Sequence, residues 1–225
     1  MADRPNVSSH LKIPLEEYDS RIRTFVPFYE EMLGEMESLV DSFAAEEPKI
    51  LDLGIGTGAL AERCLKVRPL ADLTGIDTDP DILEMARSRL EEFEKVDLRP
   101  GSFLEVPFPE VDLIVASISL HHVPEPDPKK QLFQRCRDAL GRDGILILAD
   151  CFLPGQKLLA KEGMESWRAH LEGFYSREEA IGFLEAWSGE DTYFPLVDEL
   201  QWLGEAGFYP EVVWRKDNFA VLLCV

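Results

Sequence analysis

Short apolar runs alternate along this chain with segments whose apolar residues recur every three or four positions. From Leu15 to Phe43 ("LEEYDSRIRTFVPFYEEMLGEMESLVDSF") the spacing is helical and breaks near Pro27, with Phe28, Met32, Met36 and Leu39 forming one stripe. "KILDLG" then reads as a buried strand and "GALAERCLKV" as a helix. "LTGID" predicts a second strand, and "DPDILEMARSRLEEF" a helix with Asp79 as N-cap and Pro80 at its first position. "VDLRPGSF" is a third strand, and "VDLIVASISL", almost continuously apolar, a fourth buried on both faces. A helix over "DPKKQLFQRCRDAL", opening at Asp127 and Pro128, and a fifth strand, "GILILAD", complete the alternation. Residues 1–13 are polar and expected to be loose.

Residues 151–194 interrupt the pattern. They are rich in aromatics (Trp167, Tyr175, Trp187 and Tyr193 among them) and read as two or three helices. "PLVDELQWLGEAGF" is a helix stopped by Gly207, and "EVVWRK" and "NFAVLLCV" are two strands joined by a tight turn at Asp217 and Asn218. Strands alternating with helices predict an α/β fold, a doubly wound and mostly parallel seven-stranded sheet. The terminal hairpin makes the last strand antiparallel. The expected organisation is one domain over 1–225: an N-terminal helical cover (14–45), a ligand-binding core (49–150), a helical insert (151–194), and a last helix with the hairpin (195–225).

Charge narrows the partners. With 23 basic and 43 acidic residues the net charge is −20, so the general surface repels phosphate backbones. Neither nucleic acid nor a membrane surface is expected; a homodimer is left open. No apolar run approaches the roughly 20 residues of a membrane span. The N-terminus lacks the cationic start and apolar stretch of a signal peptide, so the expected location is cytoplasmic. The four cysteines form no CxxC pair and sit in apolar runs, as buried reduced thiols do. No ligand spacing predicts a metal.

The chemistry starts at "KILDLGIGTGALAERCL". Glycines after a strand let the backbone approach a ligand, and the following helix offers its N–H groups. Gly54, Gly56 and Ala59 satisfy a dinucleotide fingerprint, with Asp77 18 residues beyond Ala59, so an NAD(P)-dependent oxidoreductase is one reading. Asp52 weighs against it, because a carboxylate just before the loop repels a pyrophosphate but suits a cofactor bearing an ammonium or sulfonium group and no phosphate.

At this point the sequence resembles a family. "ILDLGIGTGALA", "LTGIDTDPDILEMA", "RPGSF", "FPEVDLIVASISLHHV" and "LGRDGILILAD" resemble, in order, the motifs of the class I S-adenosylmethionine-dependent methyltransferases, with their Rossmann-like fold. The resemblance implies S-adenosyl-L-methionine as cofactor and S-adenosyl-L-homocysteine as product. It implies that Asp52, Gly54, Ile55 and Gly56 hold the methionine end, Asp77 and Thr78 the ribose, Ser102 and Phe103 the adenine, with Ser117 beside the sulfonium. "YDSRIRTFVPFYEEM" and "WLGEAGFYPEVVWRKDNFAVLL" further resemble the bacterial carboxy-S-adenosylmethionine synthases and their methyltransferase relatives, which implies that Tyr29 contacts the cofactor. Those synthases use an arginine near the last helix to hold an extra carboxylate; Gln201 and Trp202 stand there instead. The departure favours methyl transfer to a small-molecule acceptor, with a modified-cofactor synthase as the alternative.

Methyl transfer from a sulfonium needs alignment and exclusion of water more than an obligatory triad. His121 and His122, after the fourth strand, are the candidates for a base or an acceptor-orienting pair. Arg23 is a candidate for the cofactor's carboxylate. Asp150 ends the fifth strand near the same rim. Trp167, His170, Tyr175 and Trp187 either line an acceptor pocket or form a small core of the insert; the second is the simpler expectation for most of them.

Overall fold

The computed structural model describes residues 14–42 and 45–225. The segment 1–13 expected to be loose, and Phe43, the expected end of the first helical stripe, lie outside these residues. A 3₁₀ turn, Leu15–Glu17, leads into α1 (Tyr18–Phe25) and α2 (Tyr29–Asp41). The chain breaks between them as Pro27 leads one to expect, and Phe28 adopts a left-handed φ of 61°. Because α2 starts only at Tyr29, the stripe differs from the expected one: Tyr29, Met32, Leu33, Met36 and Val40 are buried, while Phe28 meets Trp214 edge-on at 6.2 Å between ring centroids.

The sheet contains β1 (Lys49–Leu53), β2 (Asp72–Asp77), β3 (Val96–Pro100), β4 (Val111–Ser117), β5 (Leu140–Cys151), β6 (Pro210–Lys216) and β7 (Phe219–Cys224), in the order β3-β2-β1-β4-β5-β7-β6. Pairing is parallel from β3 through β5, and β7 runs antiparallel between β5 and β6. The helices are α3 (Ala59–Val67), α4 (Pro80–Arg89), α5 (Pro126–Ala139), α6 (Lys157–Leu171), α7 (Arg177–Glu190) and α8 (Leu196–Glu205). Asp79 caps α4 through its side chain, as the Asp-Pro pair suggests. In contrast, α5 opens at Pro126 behind Glu125, not at Asp127 and Pro128. Both prolines then sit in the first turn, where a missing N–H removes no intrahelical bond.

Alternate residues along the strands feed two cores. Ile50, Leu113, Val115, Ile147 and Val221 join one with α2 and α3; Leu51, Leu53, Ile114, Leu148 and Leu222 join the other with α5 and α8. The insert does not build a core of its own. Phe25 of α1 is its centre, with ring centroids 5.6 Å from Tyr175, 5.1 Å from Phe183 and 5.3 Å from Trp187. The Trp167 indole N–H donates to the Phe25 carbonyl at 2.7 Å. The insert and the N-terminal cover therefore pack as one unit over the sheet. All four cysteines are buried and free. Among the described residues no helix is long and apolar enough to cross a membrane.

Candidate functional site

The strand order reverses between β1 and β4, where sheets of this kind open a crevice beyond the strands' carboxyl ends. A cavity of about 330 Å³ lies there. The loop after β1 forms its floor. Gly54 and Gly56 have φ of 75° and 55°, a region that suits glycine. At Gly54 a Cβ would stand 2.5 Å from Ser119 Cβ; at Gly56 it would meet nothing within 4 Å. The first glycine is needed for packing, and the second leaves room beside the backbone.

Two acids close the loop. The Asp77 carboxylate accepts the Gly56 N–H at 2.9 Å and the Asp79 N–H at 3.1 Å, which ties β2 to the loop. Asp52 is 1 % exposed, and its Oδ2 accepts no hydrogen bond within the protein. Burial, with Asp77 adding repulsion, pushes its carboxyl up to about 8. A buried carboxyl facing a cavity without a partner is a place for a cationic group.

Of the residues expected at the cofactor, Tyr29, Asp52, Gly54, Ile55, Gly56, Asp77, Thr78, Ser102, Phe103 and Ser117 all line this cavity. Arg23 does not. Its guanidinium is bound to Glu30 at 2.5 Å and to the Asp19 carbonyl at 3.0 Å on the outer face of α1. The structure thus does not bring Arg23 to the residues expected beside it at the cofactor. Tyr18 and Ile22 of α1 and Glu190 at the end of α7 also line the cavity, and sequence reasoning missed them. Helical spacing places Ile22 on the same face as Tyr18, four residues before it, which is the signal available. Asp19 on α1 receives the Thr57 hydroxyl at 2.7 Å and pairs with Arg89 of α4, which also holds the Thr57 carbonyl at 2.9 Å. This knot clasps α1 to the glycine loop.

A second cavity, of about 80 Å³, abuts the first; Tyr18, Ile22, Ile118 and His122 line both. Ile118, directly after β4, has a φ of 49°, unusual for a β-branched residue. Its N–H donates to the Ala149 carbonyl at 2.8 Å, and the bend sends the next residues, the 3₁₀ turn Leu120–His122, across the end of β5. Asp150 holds that turn. Its Oδ2 accepts the N–H groups of Leu120 and His121 at 3.0 and 3.1 Å, and its Oδ1 lies 2.7 Å from His121 Nδ1. From behind, Lys129 Nζ donates to the Leu120 carbonyl at 3.0 Å and pairs with buried Glu199 at 2.7 Å. Burial opposes charge on both His121 and Asp150, yet their contact prevails and holds His121 above and Asp150 below the usual range. His122 Nδ1 lies 3.0 Å from Asp191 Oδ1.

Trp167 and Trp187 line this second cavity while also belonging to the core around Phe25; Tyr175 and His170 do not line it. The Tyr175 hydroxyl instead meets the Thr24 hydroxyl at 2.5 Å. Asp191, in the segment after α7, drew no notice in the sequence because nothing around it has a recognisable spacing. A wider, open groove of about 540 Å³ near the start of α6 shares no lining residue with either cavity.

The strand order with its reversed seventh strand is that of a methyltransferase-like α/β fold, and a glycine loop between two acids lies at its switch point. Residues 50–144 match the family model described as "Methyltransferase domain". Among curated proteins it is similar to the carboxy-S-adenosyl-L-methionine synthase of Nautilia profundicola, 27% identical over 209 residues, covering 92% of this chain and 89% of the relative. Among solved structures it shares the fold of a TehB-like SAM-dependent methyltransferase from Corynebacterium glutamicum (19% identity, TM-score 0.61, 94% of this chain and 97% of that one). The YcgJ protein of Bacillus subtilis has the same fold (18% identity, TM-score 0.62, 83% and 71%).

Proposed function

We propose that this chain binds S-adenosyl-L-methionine in the larger cavity and methylates a small-molecule acceptor seated in the smaller one. The observation that carries the reading is Asp52. A fully buried carboxylate oxygen with no protein partner, aimed at a ligand cavity, fits the cofactor's ammonium group. The cavity's other charged residues support this. Asp77 and Glu190 join Asp52, and none of the described lining residues is lysine or arginine. A pyrophosphate would find no cation among the described lining residues and would meet the acids Asp77 and Glu190, which weakens the dinucleotide reading. When bound, the cofactor supplies an electrophilic methyl group on sulfur. The protein's part is placement: Asp77 receives the ribose hydroxyls, Ser102 and Phe103 flank the adenine, and Tyr29 and Ile22 cover the cofactor from the N-terminal helices. His122 is the histidine that borders both cavities, so it is the one presented to the acceptor.

Calorimetric titration with S-adenosyl-L-methionine and S-adenosyl-L-homocysteine, with NAD and NADP as controls, tests the proposal. Micromolar binding of the first two alone is expected. Binding of a dinucleotide, or of nothing, would overturn it. A second reading, formation of a carboxylated cofactor, is favoured by the names of the curated relatives. Against it, Trp202 stands where the resemblance implies an arginine, and it stacks edge-on with Phe194 at 5.0 Å without lining either cavity. Mass spectrometry of small molecules released from the purified protein decides between the two, since only the synthase reading expects a carboxylated species.

A further inference from the structure

We propose that His121, His122 and Asp191 form a binding site for a divalent transition-metal ion at the junction of the two cavities. The inference rests on the reading of the smaller cavity as the acceptor's seat. One ligand atom from each of the three residues lies within 4.8 Å of the other two. Asp191 Oδ1 is 3.0 Å from His122 Nδ1, and Asp191 Oδ2 is 3.8 Å from His121 Nε2. A zinc ion with bonds of about 2.0–2.1 Å needs its ligand atoms roughly 3.3 Å apart. Starting from separations of at most 4.8 Å, one ligand atom from each residue reaches that spacing when the widest pair closes by about 1.5 Å, a side-chain adjustment.

The surroundings are those of a supported site. A ligating histidine is usually oriented by a carboxylate on its other ring nitrogen. Asp150 Oδ1 stands 2.7 Å from His121 Nδ1, which turns Nε2 toward Asp191. The Tyr193 hydroxyl donates to Asp191 Oδ2 at 2.8 Å and fixes that carboxylate. The Thr192 N–H donates to the His121 carbonyl at 3.0 Å, so the segment bearing Asp191 is tied directly to the histidine turn. Charge points the same way. The Asp150 and Asp191 side chains are only 5% and 3% exposed. The buried ammonium nearby, Lys129, is already matched by Glu199. A dication would balance the two carboxylates while leaving both imidazoles neutral.

Two imidazoles and one carboxylate select ions of zinc's kind over magnesium or calcium, which prefer all-oxygen sites. Three protein ligands leave at least one position open. It faces a pocket walled by Phe25, Trp167 and Trp187, so the ion would hold an oxygen-bearing acceptor against an aromatic wall beside the cofactor cavity.

The test uses full-length protein, purified without a metal-affinity step and stripped with chelator. Zinc is titrated by calorimetry with a competing chromophoric chelator, and cobalt(II) by visible absorption. One ion per chain is expected, with cobalt bands in the visible range. Asp150→Asn should weaken zinc binding about 10–100-fold, the usual effect of removing an orienting partner. Asp191→Asn and His122→Ala should weaken it at least as much. His122 is 42% exposed, so its alanine variant is expected to fold, which circular dichroism checks. Absence of stoichiometric binding, or zinc affinity unchanged in a folded His122→Ala or Asp191→Asn protein, overturns the proposal. S-adenosylmethionine binding to the metal-free wild type is measured in parallel, so that failure of the metal site and failure of the cofactor reading remain distinct.

Discussion

Replacing Asp52 with asparagine removes an ionisable group from the cavity floor while keeping its shape. In the ligand-free protein burial raises this carboxyl from 3.8 to about 8. At pH 7 that leaves about nine-tenths of it protonated. The unfolded chain loses this proton near pH 4 and the folded chain only near pH 8. The contribution to stability is therefore full below pH 4 and falls as pH rises through that window. At about 1.4 kcal/mol per pH unit, the roughly four-unit gap sets a ceiling of about 5–6 kcal/mol; solvation of the cavity reduces it to a few. Asp52→Asn does not titrate. Urea unfolding of ligand-free protein at several values between pH 5 and 8.5 should show the variant gaining on the wild type, by about 2–5 kcal/mol at the upper end. Cofactor binding reverses the preference, because the ammonium favours the carboxylate. The wild type should release close to one proton on binding at pH 7, seen by calorimetry in buffers of different ionisation enthalpy. The variant should release none from this site and bind roughly 10–100-fold more weakly, the loss expected for a charged hydrogen bond. If the stability difference between variant and wild type were flat across this range, Asp52 would be ionised without ligand and the reasoning would fail.

Five further substitutions probe the frame around the site. Gly54→Ala should lose about 2–4 kcal/mol in denaturant unfolding, from a positive φ and a 2.5 Å approach to Ser119, whereas Gly56→Ala should cost less stability and mainly weaken the cofactor. Lys129→Met leaves Glu199 as a buried unpaired charge and should cost about 3–5 kcal/mol; the double variant Lys129→Met with Glu199→Leu should recover most of it, and no recovery would mean the ammonium's bond to Leu120 matters more than the pair. Arg89→Leu unties Asp19 and Thr57, and because the pair is partly exposed the loss should be about 1 kcal/mol, read as a roughly five-fold faster cofactor dissociation in stopped-flow fluorescence.

The glycine loop was legible because its chemistry is local. Asp52, Gly54 and Gly56 lie within five consecutive residues, and Asp77 closes the next strand, so strand ends and spacing alone bring them together. The same holds for the Asp79 cap and for the turn at Asp217, whose φ is 50°. Helical spacing puts Arg23 on a helix but not on a particular face of it, and Glu30, across the Pro27 break, pairs with it away from the cavity. The α5 start was misread for a similar reason: two prolines two residues apart offer two equivalent starts.

Apolar periodicity and turn residues are properties of a few neighbouring positions, and they were sufficient for seven strands, their flanking helices and the glycine loop. The smaller cavity was not. It is assembled from α1, the bend at Ile118, the end of β5 and the segment after α7, and whether Asp150 and Asp191 meet the two histidines depends on how the insert packs around Phe25. The energy of that packing comes from contacts between residues far apart in the chain, which leave no spacing in the sequence to read.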